Sequence, residues 1–183
     1  LCTGAVKLQN VPGLADVHAS LELLRGAGCE AGWRGRDLLV QGPPSCCRLD
    51  AGAAARMRAS ILFCAPLLAR LGRAETVLPG GCCIGARPVD LHLSGLARMG
   101  VDCRAEGARL ILTAPSGLHG AQITLSFPSV GATETLLLSA VLAQGNTVLR
   151  GAAREPEICD LAAFLNRCGA SVQGAGSSTI RVE

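Results

Sequence analysis

Three pentapeptides of one form decide the fold class of this chain: LRGAG at residues 24–28, LARMG at residues 96–100 and LNRCG at residues 165–169. Each places a glycine four residues after a leucine, and the glycines lie 72 and 69 residues apart. Apolar residues at helical spacing precede each one, which predicts an amphipathic helix that ends at a glycine C-cap. The recurrence predicts an internal three-fold repeat.

The predicted helices also begin alike, near Asp16, Asp90 and Asp160. An acidic side chain at that end of a helix fits N-terminal capping or interaction with the helix dipole. His18 and His92 follow the first two aspartates at the same distance. We interpret His18 as structural, because its repeat has no reactive loop, and leave the role of His92 open.

Short β-prone runs recur in step with the helices, at residues 5–8, 75–78 and 146–149. The last two follow further predicted helices that end at Gly72 and Gly145. Strand pairs are predicted after the first helix of a unit, as at residues 109–113 and 179–182. Three such units packing around one core predict a single α/β domain over residues 1–183.

The first unit is expected to be truncated, because its strand at residues 5–10 has no helix before it. The strand that should pair with residues 5–10 is also expected to be missing, which would leave an open sheet edge. The apolar faces of the repeated helices predict the core. We expect these residues to be buried: Ile61, Leu67, Leu68, Leu96, Leu137, Leu138, Val141 and Leu165.

Composition excludes several classes of function. Aromatic residues make up 2% of the chain and the net charge is only +3, with arginines scattered, so a nucleic-acid partner is not expected. No apolar run approaches the roughly 20 residues of a membrane span. The ten cysteines show no spaced CxxC pairs, which argues against a zinc site. We therefore expect a soluble cytoplasmic protein with no metal and no cofactor, and small anions as ligands.

One segment stands apart from the repeat, LPGGCCIGARPVDLH at residues 78–92. Glycines permit unusual backbone conformations, and an arginine beside a cysteine favours the thiolate or an approaching anion. The pattern predicts a mobile loop that carries a reactive cysteine. A glycine-rich hairpin whose cysteines only pack is the alternative interpretation.

Two helix starts have the composition of anion sites, RMRAS at residues 56–60 and SVGAT at residues 129–133. Free backbone N–H groups with a nearby hydroxyl or guanidinium can hold an anion, although these hydroxyls can equally serve only as helix caps. The charged segment AAREPEICD at residues 152–160 fits an exposed, ion-paired turn.

Taken together, the strings PGGCCIGARPVDLH, MRAS, SVGAT and AAREPEI closely resemble the UDP-N-acetylglucosamine enolpyruvyl transferases. The resemblance implies transfer of the enolpyruvyl group of phosphoenolpyruvate to the 3′-hydroxyl of UDP-N-acetylglucosamine, with release of phosphate, as the committed step of peptidoglycan synthesis. It also implies two similar domains, each an inside-out α/β barrel half of three βαβαββ units. This chain would supply one of them, with its first unit truncated and the N-terminal strand and second domain absent.

The resemblance assigns roles to individual residues. Cys82 is similar to the loop cysteine that acts as general acid and is alkylated by fosfomycin, and Cys83 takes the variable position after it. The remaining assignments concern substrate binding. They are Arg58 and Arg87 for phosphoenolpyruvate, Pro88, Asp90 and His92 for the uridine site, and Ser129, Val130 and Gly131 for the diphosphate.

Two departures from the family pattern affect the expected activity. A Lys-Asn motif that grips phosphoenolpyruvate would precede Leu1, and Phe127 and Pro128 precede Ser129 where many members have a lysine. We therefore expect the chain to be inactive alone. The alternatives are a non-catalytic nucleotide-sugar-binding remnant and a relative of the shikimate-pathway enolpyruvyl transferase, although that enzyme lacks a PGGC loop. A plastid location would require a targeting segment before Leu1.

Overall fold

Three small sheets surround a set of internal helices in the computed structural model, which describes residues 4–77 and 89–183. In chain order the elements are β1 (Val6–Leu8), α1 (Ala15–Gly26), β2 (Glu30–Arg34), β3 (Asp37–Gln41), α2 (Ala51–Arg56), a 3-10 helix (Arg58–Phe63), α3 (Cys64–Leu71), β4 (Arg73–Val77), α4 (Asp90–Arg98), β5 (Asp102–Glu106), β6 (Arg109–Thr113), β7 (Gln122–Thr124), α5 (Val130–Ala140), β8 (Thr147–Arg150), α6 (Pro156–Arg167), β9 (Val172–Gln173) and β10 (Thr179–Val182).

The third unit shows the repeat in full, because β7, α5, β8, α6, β9 and β10 follow one another as βαβαββ. Its sheet has the order β7-β8-β10-β9, with β7 parallel to β8 and the other pairs antiparallel. In the second unit a single parallel bridge between Arg48 and Glu75 takes the place of a first strand, and the sheet order is β4-β6-β5. The α/β class and the three-fold repeat predicted from the sequence are confirmed.

The first unit contains β1, α1, β2 and β3, in the sheet order β1-β3-β2. β1 corresponds to β8, but within the described residues no strand pairs with its outer side. β1 is also shorter than the predicted strand at residues 5–10. Asn10 has a φ of 53°, and its N–H donates to Asp37 Oδ1 at 3.0 Å, so the chain turns away from the sheet there.

The helix ends follow the predicted chemistry. After α1, α4 and α6 the chain reaches Gly28, Gly100 and Gly169, whose φ values are 94°, 90° and 97°. The N–H of the residue after each glycine donates to the carbonyl of the repeat leucine, at 3.0, 3.1 and 3.1 Å. This 6→1 bond is the Schellman closure, which requires the left-handed conformation that glycine adopts without strain.

One of the three predicted helix starts needs correction. Leu14, Val89 and Glu155 are the N-cap residues of α1, α4 and α6, and none makes a side-chain cap bond. Asp16 and Asp90 lie in first turns, where they act on the helix dipole and not as caps. Asp160 lies one turn further in, because α6 already begins at Pro156, a residue pre-set for the first helical position.

A second correction concerns Gly145, which does not end a helix. α5 stops at Ala140, where the N–H of Ala143 turns back to the Ala140 carbonyl. Gln144 then exchanges backbone hydrogen bonds with the segment at Leu118 and Gly120, each 2.8 Å long. These bonds hold the chain extended before Gly145 and prevent a further helical turn. Gly72, in contrast, ends α3 with a φ of 67° as predicted.

The core contains most of the residues predicted for it. Ile61, Leu67, Leu68, Leu96, Leu137 and Leu165 are buried, whereas Leu138 and Val141 are only half-buried. The last two line an apolar cavity of about 450 Å³ between the first and third units. Its walls come from α3, α5, the inner face of the first sheet and the ends of α1 and α6.

A buried carboxylate anchors the strand that leads toward the predicted loop. Glu75 on β4 is 5% exposed and bonds to the guanidinium groups of Arg73, Arg109 and Arg48 at 2.7, 2.8 and 3.0 Å. Arg73 contributes most to holding the pKa of Glu75 below its usual range. Three elements of the second sheet are thereby joined at one side chain.

The unpaired outer side of β1 leads to a testable expectation. In hydrogen exchange, the amides of β1 should be less protected than those of β8, its counterpart in the third unit, because β8 is paired on both sides. Both strands can be followed in one NMR experiment at a fixed pH. Equal protection of β1 and β8 would contradict the assignment of β1 as an open edge.

Candidate functional site

The N-terminus of α5 is built by the predicted segment Ser129, Val130 and Gly131. Ser129 is the N-cap, and its hydroxyl accepts the N–H of Ala132 at 3.3 Å. The N–H groups of Val130 and Gly131 have no acceptor within the described residues, as is general for the first turn of a helix. All three predicted residues are half-buried. The segment therefore caps its helix and also leaves backbone donors available for an anion.

Thr133 ties this helix start to the next loop. Its hydroxyl donates to the Ser129 carbonyl at 2.7 Å and accepts the N–H of Ala153 at 3.1 Å. Ala153 belongs to the charged segment at residues 152–160 and lies just before α6 begins at Pro156. The position of residues 129–131 is therefore fixed relative to that segment by a fully buried hydroxyl.

α4 contributes the second part of the site, since His92 lies beside the first turn of α5. Its Nδ1 is 2.8 Å from the Thr135 hydroxyl. A Cβ atom added at Gly131 would be 3.2 Å from His92 Cε1 and 3.4 Å from Nε2. The structure thus brings together two segments that the sequence singled out separately. Asp90, the other described member of its segment, is exposed in the first turn of α4.

Close contact between the two helices depends on Gly95. A Cβ atom at this position would lie 2.5 Å from Leu136 Cδ2 on α5, closer than packed atoms approach. Gly95 is buried one helical turn after His92. A hydrogen atom as the side chain therefore allows the backbone approach that brings His92 to Thr135.

Burial controls the charge state of this site. It lowers the pKa of His92 to about 4, so the imidazole is neutral at pH 7. On α5, burial and then the negative charge of Glu157 raise the pKa of Glu134 above its usual range. His92 and Glu134 are thus less readily charged than they are in water.

Arg58 begins the 3-10 helix, which packs against α5. Its side chain is exposed, and within the described residues no hydrogen bond or ion pair involves its guanidinium. The neighbouring Arg56 is different, because it pairs with Glu22 on α1. Arg58 can therefore offer its donors to an anion without breaking an internal contact.

Three of the predicted residues, Cys82, Arg87 and Pro88, lie outside the described residues. Their roles remain predictions from the sequence. The first described range ends at Val77 on β4, and the second begins at Val89, the N-cap of α4. In the sequence, Cys82, Arg87 and Pro88 therefore come directly before the helix that carries His92.

The sequence did not point to two further features of the site. They are the hydroxyl of Thr135, which contacts His92, and the absence of a side chain at Gly95, which lets α4 approach α5. Phe127 is 57% exposed just before the N-cap of α5, where the family resemblance leads one to expect a lysine in many members. Residues 4–77 and 89–183 contain no group of three or more His, Cys, Asp or Glu side chains arranged to hold a metal ion. No helix in these ranges is long and apolar enough to cross a membrane.

Comparison with known proteins assigns a family to the whole sequence. The family model for EPSP synthase (3-phosphoshikimate 1-carboxyvinyltransferase) matches residues 1–183. The UDP-N-acetylglucosamine 1-carboxyvinyltransferase of Acidiphilium cryptum is 51% identical over 178 residues, which cover 97% of this chain and 43% of that protein. The enzyme of the same name from Desulfovibrio desulfuricans is 46% identical, with 97% and 42% covered. The chain spans less than half the length of these relatives.

Solved structures share the same fold. The enolpyruvyl transferase NikO from Streptomyces tendae superposes with a TM-score of 0.81 at 24% identity, covering 99% of this chain and 43% of that one. EPSP synthase from Acinetobacter baumannii gives a TM-score of 0.77 at 19% identity, with 100% and 42% covered. At these identities the likeness establishes the fold alone.

The neutral, half-buried His92 makes stability depend on pH in a defined direction. Its folded pKa of about 4 lies below the ordinary value of 6.5, so between these values the unfolded state binds more protons. Lowering the pH through this window should remove up to about 3 kcal/mol of unfolding free energy. His92→Asn should flatten that slope when the unfolding free energy is measured with urea, because asparagine does not bind a proton in this range. The asparagine amide can still reach Thr135, so the fold is expected to persist.

His18 supplies the matched control, because it holds the equivalent position on α1 but is exposed. Its ring packs against Trp33, with 5.7 Å between the ring centroids. The variant His18→Asn should keep the wild-type slope between pH 6.5 and 4. An unchanged slope in His92→Asn would show that other groups carry the dependence.

Proposed function

Because this chain belongs to the EPSP synthase family of carboxyvinyl transferases, we propose that it carries the loop-bearing half of a UDP-N-acetylglucosamine 1-carboxyvinyltransferase. The reaction transfers the enolpyruvyl group of phosphoenolpyruvate to the 3′-hydroxyl of the nucleotide sugar and releases phosphate. Relatives at 42% to 51% identity bear that name. The proposal includes the role in peptidoglycan synthesis and the cytoplasmic location expected from the sequence.

The observation that carries the proposal is the meeting of α4 and α5, where His92 lies beside the first turn of α5. A nucleotide diphosphate needs donors for its oxygens and a positive electrostatic environment. The backbone N–H groups of Val130 and Gly131 and the helix dipole supply both. His92 and Asp90 on the adjacent helix would contact the nucleoside, together with Pro88 from the loop.

Phosphoenolpyruvate would bind nearer the loop. Arg58 and Arg87 would clamp its carboxylate and phosphate, since guanidinium groups form paired hydrogen bonds with such anions. Cys82 would then deliver a proton to the methylene carbon while the sugar oxygen, whose own proton passes to a general base, bonds to the adjacent carbon. Loss of phosphate and of a proton from the former methylene carbon would restore the double bond.

A hybrid enzyme can test this proposal. The matched region of the Acidiphilium cryptum relative is replaced by this chain, and phosphate release is measured with phosphoenolpyruvate and UDP-N-acetylglucosamine. The hybrid should turn over, whereas the 183-residue chain alone should not, because it covers only 43% of the relative. Shikimate 3-phosphate as acceptor distinguishes the other activity of the family, and turnover with it alone would overturn the proposal.

Within the hybrid, Cys82→Ser should strongly reduce turnover and abolish labelling by fosfomycin. The matched variant Cys83→Ser should do neither, because the resemblance places the acid at Cys82. Peptide mapping of the labelled protein identifies the modified residue. Loss of the adduct only in Cys83→Ser would shift the assignment by one position.

Arg58 allows a second test with its own neighbour as the control. Arg58→Gln removes a charge-assisted contact worth about 1.5–3 kcal/mol, so kcat/KM for phosphoenolpyruvate should fall by about 10- to 100-fold. Arg56→Gln removes an exposed ion pair with Glu22 and should change kcat/KM little. Equal effects of the two substitutions would argue against a binding role for Arg58.

A further inference from the structure

The hydroxyl of Thr135 is in an unusual situation for a helical threonine. It is fully buried, and the only partner it has within the described residues is His92 Nδ1, at 2.8 Å. Two other hydroxyls of α5 donate to the carbonyl one turn earlier, Thr133 to Ser129 at 2.7 Å and Ser139 to Thr135 at 2.8 Å. Thr135 makes no such bond, although its neighbours show that the helix permits one.

This difference determines the direction of the Thr135–His92 bond. A buried hydroxyl hydrogen without an acceptor is costly, and His92 Nδ1 is the acceptor within reach. Thr135 therefore donates, and Nδ1 receives. A neutral imidazole whose Nδ1 accepts a hydrogen bond carries its own hydrogen on Nε2.

The Nε2–H group of His92 is then a donor beside the first backbone N–H groups of α5. Nε2 lies 3.4 Å from the position of a Cβ on Gly131, so it lies over the first turn of the helix. A side chain at residue 131 would require the ring to give way. Glycine at residue 131 thus leaves room for the ring beside the Val130 and Gly131 N–H groups.

We propose that Thr135 is a positioning residue that fixes His92 as its Nε2–H tautomer, so that the ring donates a hydrogen bond to an oxygen of the bound nucleotide. The identity of the ligand rests on the proposed function, whereas the tautomer follows from the contacts of Thr135. Neither Thr135 nor the tautomer was identified from the sequence.

The tautomer can be measured without any ligand. In the 183-residue chain labelled with ¹⁵N-histidine, long-range ¹H–¹⁵N correlation at pH 7 should show His92 with an unprotonated Nδ1 and a protonated Nε2. Thr135→Val keeps the side-chain shape and removes the hydroxyl, so the two tautomers should become mixed. Thr135→Ser should restore the wild-type pattern, and His18 serves as the reference in each spectrum.

Titration with UDP then tests the donor role. Wild type and Thr135→Ser should bind UDP with the same affinity. Thr135→Val should bind UDP about tenfold more weakly, the value of one hydrogen bond.

A protonated Nδ1 in the wild-type chain would overturn the tautomer assignment, even if Thr135→Val failed to fold. Equal UDP affinity of wild type and Thr135→Val would overturn the donor role alone. Absence of UDP binding in all three proteins would overturn the proposed nucleotide site, and the donor role with it, independently of the tautomer.

Discussion

Burial of α5 on almost every side is the constraint on which the rest of this site depends. Seven of its eleven residues are buried, and three of these carry hydroxyl groups: Thr133, Thr135 and Ser139. Inside a protein each hydroxyl needs a partner, because an unsatisfied one costs about 1–3 kcal/mol. The partners lie on the α5 backbone, on the loop before α6 and on α4. The hydrogen bonds that satisfy the buried hydroxyl groups of α5 are therefore the same bonds that fix the site around its N-terminus.

The same packing explains where apolar surface remains accessible. α3 and α5 precede β4 and β8 as internal helices, but no helix precedes β1 within the described residues. The cavity between the first and third units lies beside that position, and Leu8, Leu142 and Phe164 on its walls are 41%, 43% and 40% exposed. Within the described residues only two of the three units have such an internal helix, which leaves the space beside β1 open. The half-burial of Leu138 and Val141 follows from the same gap, although their spacing on the helix predicts a core position.

The sequence predicted those features whose causes are local. Glycine at the end of a helix is a property of a few consecutive residues, so the ends at Gly28, Gly100 and Gly169 could be found from the pattern alone. Helix starts were less predictable, because Leu14, Val89 and Glu155 make no side-chain cap bond that a sequence could reveal. Family resemblance identified Ser129, Gly131 and His92 as candidates, and the fold brings them together. Thr135 and Gly95 escaped notice because their roles exist only when α4 and α5 are in contact.

His18 and His92 show how one position in a repeat acquires different chemistry. Both lie two residues after the aspartate of the first turn, on α1 and α4. His18 is exposed beside Trp33, whereas His92 is covered by α5 and has its pKa lowered to about 4. The difference comes from the helix against which each one packs. α1, which carries His18, contacts the short α2, whereas α4, which carries His92, contacts the buried α5. A repeated sequence position therefore becomes a candidate functional group through its neighbour in space, which is why the repeat by itself predicts the fold and not the site.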